Sequence, residues 1–111
     1  MIIYKILRPA EWDAFEAAGV FDGSDFDRES GFIHLSSRAQ AAATARRIFG
    51  DDPELVLVAI DAEIVADTLR WEASSGHGVF PHVYGSLPRA AVTAVHRVAG
   101  ATGVEAALAD G

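Results

Sequence analysis

The chain contains no cysteine in its 111 residues. Disulfides, thiol nucleophiles and cysteine-ligated metals are therefore excluded. Positive charge is scarce: nine Lys and Arg stand against sixteen Asp and Glu, for a net charge of −7. Such a chain is repelled on average by phosphate backbones, so no nucleic-acid partner is expected. The basic residues nearest one another are Arg38, Arg46 and Arg47. No window approaches the roughly 18 consecutive apolar residues of a membrane span, and no membrane association is expected. The N-terminus, Met1 to Ile6, lacks the basic stretch and long apolar run of a leader and reads as a strand. A cysteine-free chain without a leader suits a cytoplasmic location. Internal repeats, low-complexity linkers and charge blocks are also missing, as is the Gly-x-Ser-x-Gly elbow of Ser–His–Asp hydrolases.

Half of the residues are apolar, enough for one core without covalent staples. The expected organisation is one domain over residues 1–99, followed by a loosely ordered tail over residues 100–111. The tail is Ala- and Gly-rich and poor in large side chains. A monomer or weak homodimer is expected.

Tyr4 to Leu7 predicts a first strand. Pro9 suits the first turn of a helix, Trp12, Phe15 and Ala18 recur at helical spacing, and Gly19 ends it. Val20 to Ser30 reads as a polar loop and Gly31 to Leu35 as a second strand. Ser37 to Gln40 is a capping-box pattern opening an Ala-rich helix that Gly50 closes. Leu55 to Ile60 is continuously apolar, which predicts a central strand covered on both faces. Leu69 to Glu72, the segment from Pro81, and Val92 to Val98 supply further strands, with Gly76 and Gly78 in the loop between the first two. The fold class is α+β: a mostly antiparallel sheet of five or six strands with two or three helices.

Strand alternation places Ile33 and Leu35 on one face, the core, and Phe32, His34 and Ser36 on the other. His34 then sits beside an aromatic ring and a hydroxyl, close to a helix start whose free N–H groups suit a phosphate or carboxylate. The plainer alternative is a half-buried histidine bonded to a carbonyl. The stretch Trp71 to Gly85 is the densest in aromatic and imidazole groups. His82 and Tyr84 lie two apart and share a face, where they can hold a planar ligand. Glu72 points opposite to Trp71, so a buried Trp71 would leave Glu72 solvated or lining a cleft, where it can orient a hydroxyl or act as a base. Here the alternative is that Trp71, Phe80 and Tyr84 are core. His77 reads as a loop residue and His96 as a packing or edge residue. His34, His77, His82 and Glu72 are metal-ligand types, but none is spaced like a His-Glu-x-x-His zinc site, and no metal is expected.

Gly31-Phe32-Ile33-His34-Leu35-Ser36, Trp71-Glu72 and Phe80-Pro81-His82-Val83-Tyr84-Gly85 together resemble the domain-of-unknown-function 952 family. The opening Ile3 to Ile6 and the Trp12 helix fit it too, and the resemblance spans about residues 2 to 98. That family is similar in turn to the ADP-ribosyltransferase and RNA 2′-phosphotransferase superfamily. This likeness implies an ADP-ribosylation-like split sheet with a cleft between its halves, and NAD or a nucleotide as the small-molecule ligand. It implies His34, Glu72 and His82 as the reacting groups, with Ser36, Tyr84, Tyr4 and Lys5 holding the ligand. Tyr4 and Lys5 stand where the transferases carry His or Arg, and only Glu72 is available as a late catalytic glutamate. The activity implied is NAD-dependent transfer of the ADP-ribosyl type. A non-catalytic binding module on the same fold is the alternative, and a metal-dependent hydrolase a third reading.

Overall fold

A computed structural model describes residues 1–50, 52–74 and 76–109. Among them the chain forms β1 (Ile2–Leu7), α1 (Pro9–Ala18), β2 (Val20–Phe21), α2 (Asp25–Ser30), β3 (Ile33–His34), α3 (Ala41–Phe49), β4 (Leu55–Asp61), β5 (Leu69–Ser74), β6 (Gly78–Val83), β7 (Leu87–Pro88), a 3-10 turn (Arg89–Ala91), β8 (Val92–Val98) and α4 (Gly100–Ala109). The class is α+β, as the sequence pattern predicts. The short elements carry the count past the expected one, to eight strands and four α-helices among the described residues.

The strands pair antiparallel in separate sheets: β1-β4-β8, β3-β6-β5 and the two-residue ladder β2-β7. The two larger sheets meet at one bridge. The Tyr4 N–H donates to the Ser36 carbonyl at 2.8 Å, and the Ser36 N–H donates back to the Tyr4 carbonyl at 2.9 Å.

β4 is central, and its unbroken apolar run has a simple cause. Val56, Val58 and Ile60 enter one core with Trp12, Phe15 and Ile33. Leu55, Leu57 and Ala59 enter a second with Ala41 and Ala45 of α3 and Val104 of α4. Alternation sends neighbouring side chains to opposite faces, so both faces must be apolar.

Two local expectations are corrected. The polar stretch Val20 to Ser30 is not a loop but β2 and α2. Ser24-Asp25-Phe26-Asp27 is a capping box: the Ser24 hydroxyl accepts from the Asp27 N–H, and the Asp27 carboxylate accepts from the Ser24 N–H. At Ser37 only half of the predicted box forms, with the Gln40 side chain accepting from the Ser37 N–H, and α3 begins a turn later, at Ala41.

Residues 110 and 111 lie outside the described residues, and residues 100–109 are helical. They form α4, with Ala101 and Val104 buried against α3. Small side chains allow this close approach. A Cβ at Gly103 would lie 2.9 Å from the Val98 side chain, so glycine lets α4 sit down on β8. Val104→Asp is therefore expected to cost on the order of 3 kcal/mol or more, because it buries an unpaired charge. Thermal unfolding should show a drop of about 10 °C; an unchanged midpoint would mean that the helix contributes nothing.

Candidate functional site

The β3–β6 ladder sets His34 directly opposite His82, and β5 sets Arg70 beside His82. Alternation then builds one polar face: His34 and Ser36 from the β3 segment, Phe80 and His82 from β6, and Arg70 and Glu72 from β5. Ile33 and Val83 point the other way and are fully buried. Where the two sheets part beyond the Tyr4–Ser36 bridge, His34, Ser36, Phe80 and His82 of this face form a wall of a cleft of about 830 Å³, lined also by β1, α1, α2 and α3, while Arg70 and Glu72 lie outside it.

Each histidine is oriented by a carboxylate. His34 Nδ1 lies 2.7 Å from Asp27 Oδ1, and the His34 backbone N–H donates to the same oxygen at 3.1 Å. His82 Nδ1 lies 2.8 Å from Glu72 Oε1, which also accepts from the Tyr84 hydroxyl at 2.7 Å. Ionised carboxylates only accept hydrogen bonds, so each Nδ1 carries a proton and Nε2 is the ring nitrogen left to exchange one. No described residue hydrogen-bonds either Nε2. Because no buried side-chain nitrogen or oxygen among the described residues lacks a partner, both Nε2 atoms reach accessible space.

Asp27 is the buried anchor. Its Oδ2 lies 2.9 Å from Lys5 Nζ, and its side chain is 1% exposed. Burial alone would raise its carboxyl, but the His34 hydrogen bond and the Lys5 charge outweigh that and hold it far below the usual carboxylate range. Burial pulls the Lys5 ammonium down, against the opposing pull of Asp27. Glu72 is lowered first by the Tyr84 hydrogen bond and then by His82, and the same bond raises the Tyr84 phenol.

Aromatic rings pack around the imidazoles. Phe26 stacks on His34 with centroids 4.5 Å apart, and Phe32 stacks on His82 at 4.2 Å. Phe32 also leans on Tyr84, at 5.1 Å. The two imidazole centroids are 5.4 Å apart.

The fold brings His34, His82, Glu72 and Tyr84 into one cluster, of which His34 and His82 line the cleft and Glu72 and Tyr84 do not. Tyr4, Lys5 and Ser36 line the cleft as well, each with partners inside the protein. Lys5 is no free cation: its ammonium is committed to Asp27 and to the His34 carbonyl at 2.9 Å. Tyr4 packs with Ile6, Ala41 and Ala45 in the second core, and the Ser36 hydroxyl donates to Thr44 at 2.9 Å. The positive end near His34 is not the start of α3, which begins at Ala41. Trp71 is exposed on the far face of β5, while His77 lies at the rim of the cleft. His96 is exposed on the edge strand β8. Among the described residues, no group of three or more His, Asp or Glu side chains is arranged to hold a metal ion, and no helix is long and apolar enough to cross a membrane. Asp27 and Phe26 were not singled out by sequence. Their signal was the Ser24–Asp27 capping box, the same kind of pattern read at Ser37.

Comparison with known proteins places the chain among relatives. It belongs to the family described as "Protein of unknown function (DUF952)", whose profile matches residues 6–95. The crystal structure of protein CC0527 from Caulobacter crescentus is 42% identical, with a TM-score of 0.89, and the match covers 98% of this chain and 99% of that one. The solution NMR structure of CC0527 is 47% identical with a TM-score of 0.78, over 88% of this chain and 84% of that one. Among curated proteins nothing matches.

Proposed function

We propose that the cleft binds a small ligand of the nucleotide or NAD type, with His34 and His82 on its polar wall, in a protein of the ADP-ribosyl-transferring kind. The observation that carries this reading is the pair of carboxylate-oriented imidazoles on facing strands, each with Nε2 accessible at the cleft. Two further features support it. The volume, about 830 Å³, falls within the range of small-molecule sites. The two three-stranded sheets also part from a single bridge, the kind of split sheet that the resemblance to ADP-ribosyltransferases implies. Phe26, which lines the cleft, supplies a flat face for a base or nicotinamide ring.

One observation favours a second reading, a binding module without transferase chemistry. The first strand offers no free His, Arg or Lys to the ligand, because Lys5 is neutralised by Asp27.

Thermal unfolding with NAD and with ADP-ribose tests the proposal. A ligand at 100 times its dissociation constant adds about 2.7 kcal/mol, or roughly 10 °C for a domain of this size. His34→Ala and His82→Ala should each shrink that ligand-induced rise. If neither compound at millimolar concentration moves the midpoint, the ligand class is wrong.

A further inference from the structure

We infer that His34 and His82 form a general base and general acid that hydrolyse a phosphodiester in this cleft. The inference rests on the nucleotide-type ligand reading and adds a reaction to it.

Each Nδ1 is fixed by a carboxylate, and each Nε2 is accessible. A base or acid must come within about 3 Å of the oxygen whose proton it moves. Imidazoles with centroids 5.4 Å apart can reach two different oxygens on one phosphorus. A hydrolysis in which one proton leaves the nucleophile and another reaches the leaving group needs that arrangement.

The surrounding charges assign the roles. Asp27 is shared between His34 and the Lys5 ammonium, so a neutral His34 leaves that group without net charge. Glu72 has only His82 and the Tyr84 phenol as bonded partners. Arg70, next to His82 in the ladder, donates to the Leu69 carbonyl and acts on Glu72 only through space. Glu72 therefore has no bonded cation, and the charge that His82 carries as an acid falls beside it. His34 is thus the base and His82 the acid. Arg47 lines the cleft with its guanidinium 5.7 Å from the Phe80 ring and makes no ion pair among the described residues. It supplies a cation for the phosphate.

In the step, His34 Nε2 removes a proton from water as the water oxygen forms a new P–O bond. The ester P–O bond breaks, its electron pair stays on the departing oxygen, and that oxygen takes the proton from His82 Nε2. The products are a phosphomonoester and an alcohol, and proton exchange with water restores both rings.

The full chain should hydrolyse 2′,3′-cyclic adenosine monophosphate and bis(p-nitrophenyl) phosphate. On the cyclic nucleotide, His34→Ala and His82→Ala should each lower kcat by at least about 100-fold, with the double variant little worse than either single one, as expected for groups acting together; on the p-nitrophenyl ester, whose leaving group departs without a proton, only His34→Ala should cause that loss. Arg47→Ala should raise KM. His34→Gln and His82→Asn provide the same test where an alanine variant fails to fold. No hydrolysis by the natural chain, or undiminished hydrolysis by both histidine variants, overturns the inference. A midpoint rise with ADP-ribose in a chain that hydrolyses neither compound overturns this step alone and leaves the ligand reading standing. No rise and no hydrolysis overturns both.

Discussion

Replacing Asp27 with alanine is expected to lower the thermal midpoint by roughly 12 to 20 °C, the largest effect of any single side chain at the site. The physical reason is what remains behind. Lys5 is buried, and without Asp27 its ammonium keeps only the His34 carbonyl. Breaking a buried pair from one side costs about 3–5 kcal/mol, because the surviving charge is uncompensated, and at this chain length each kcal/mol is worth about 4 °C. Lys5→Met should cost less, since Asp27 would still accept from Ser24 and from both His34 groups. The double variant should therefore be more stable than the two single losses added together, and a double-mutant cycle by thermal unfolding measures that coupling. The same carboxylate sets an acid limit. Its folded value is depressed, so its stabilising contribution is complete above the unfolded value of about 4 and is lost as the pH falls from there toward the folded value. Unfolding curves from pH 6 down to pH 2 should steepen below about pH 4 in the natural chain and flatten in Asp27→Asn. Equal slopes in both would show that other carboxylates govern acid stability.

Ser36→Pro is expected to produce the second large loss, on the order of 3 kcal/mol or about 12 °C. Proline has no N–H, so the bond to the Tyr4 carbonyl disappears and a buried acceptor loses its partner. That bond is half of the bridge between the two main sheets, and the cleft opens beside it. Ser36→Ala keeps the bridge and removes only the hydroxyl bond to Thr44, for a loss of about 1 kcal/mol. The ligand-induced rise in midpoint should vanish in the proline variant and persist in the alanine variant. Equal stability of the two would mean that the bridge does not hold the sheets together.

The long, strongly patterned elements were legible in the sequence. The apolar run of β4 announced a strand covered on both faces, and alternation at Ile33, His34 and Leu35 separated the core face from the polar one. His82 and Tyr84, two apart, both reach Glu72, although Tyr84 lies just past the end of β6. Asp27 was not legible, because α2 is six residues long and its polar composition matches that of a loop. Its function depends on Lys5, twenty-two positions earlier (27 − 5), and no local pattern reports such a contact. The pairing of Lys5 was hidden for the same reason: a lysine on a strand looks available until a carboxylate is found across from it. In α4, small side chains suggested weak packing, yet against an equally small-faced α3 they permit close packing.

The strand order also carries a kinetic consequence. β5 and β6 pair as neighbours, with Trp71 opposite Pro81, and this ladder can form early at small cost in loop entropy. The other main ladders join distant segments: Ile33 meets Val83, fifty residues on (83 − 33), and Tyr4 meets Ala59, fifty-five residues on (59 − 4). A chain dominated by such pairings folds over milliseconds to seconds and not microseconds. The imidazole pair is assembled only when one of these long-range ladders, β3–β6, closes, so His34 meets His82 after the local β5–β6 ladder can already have formed.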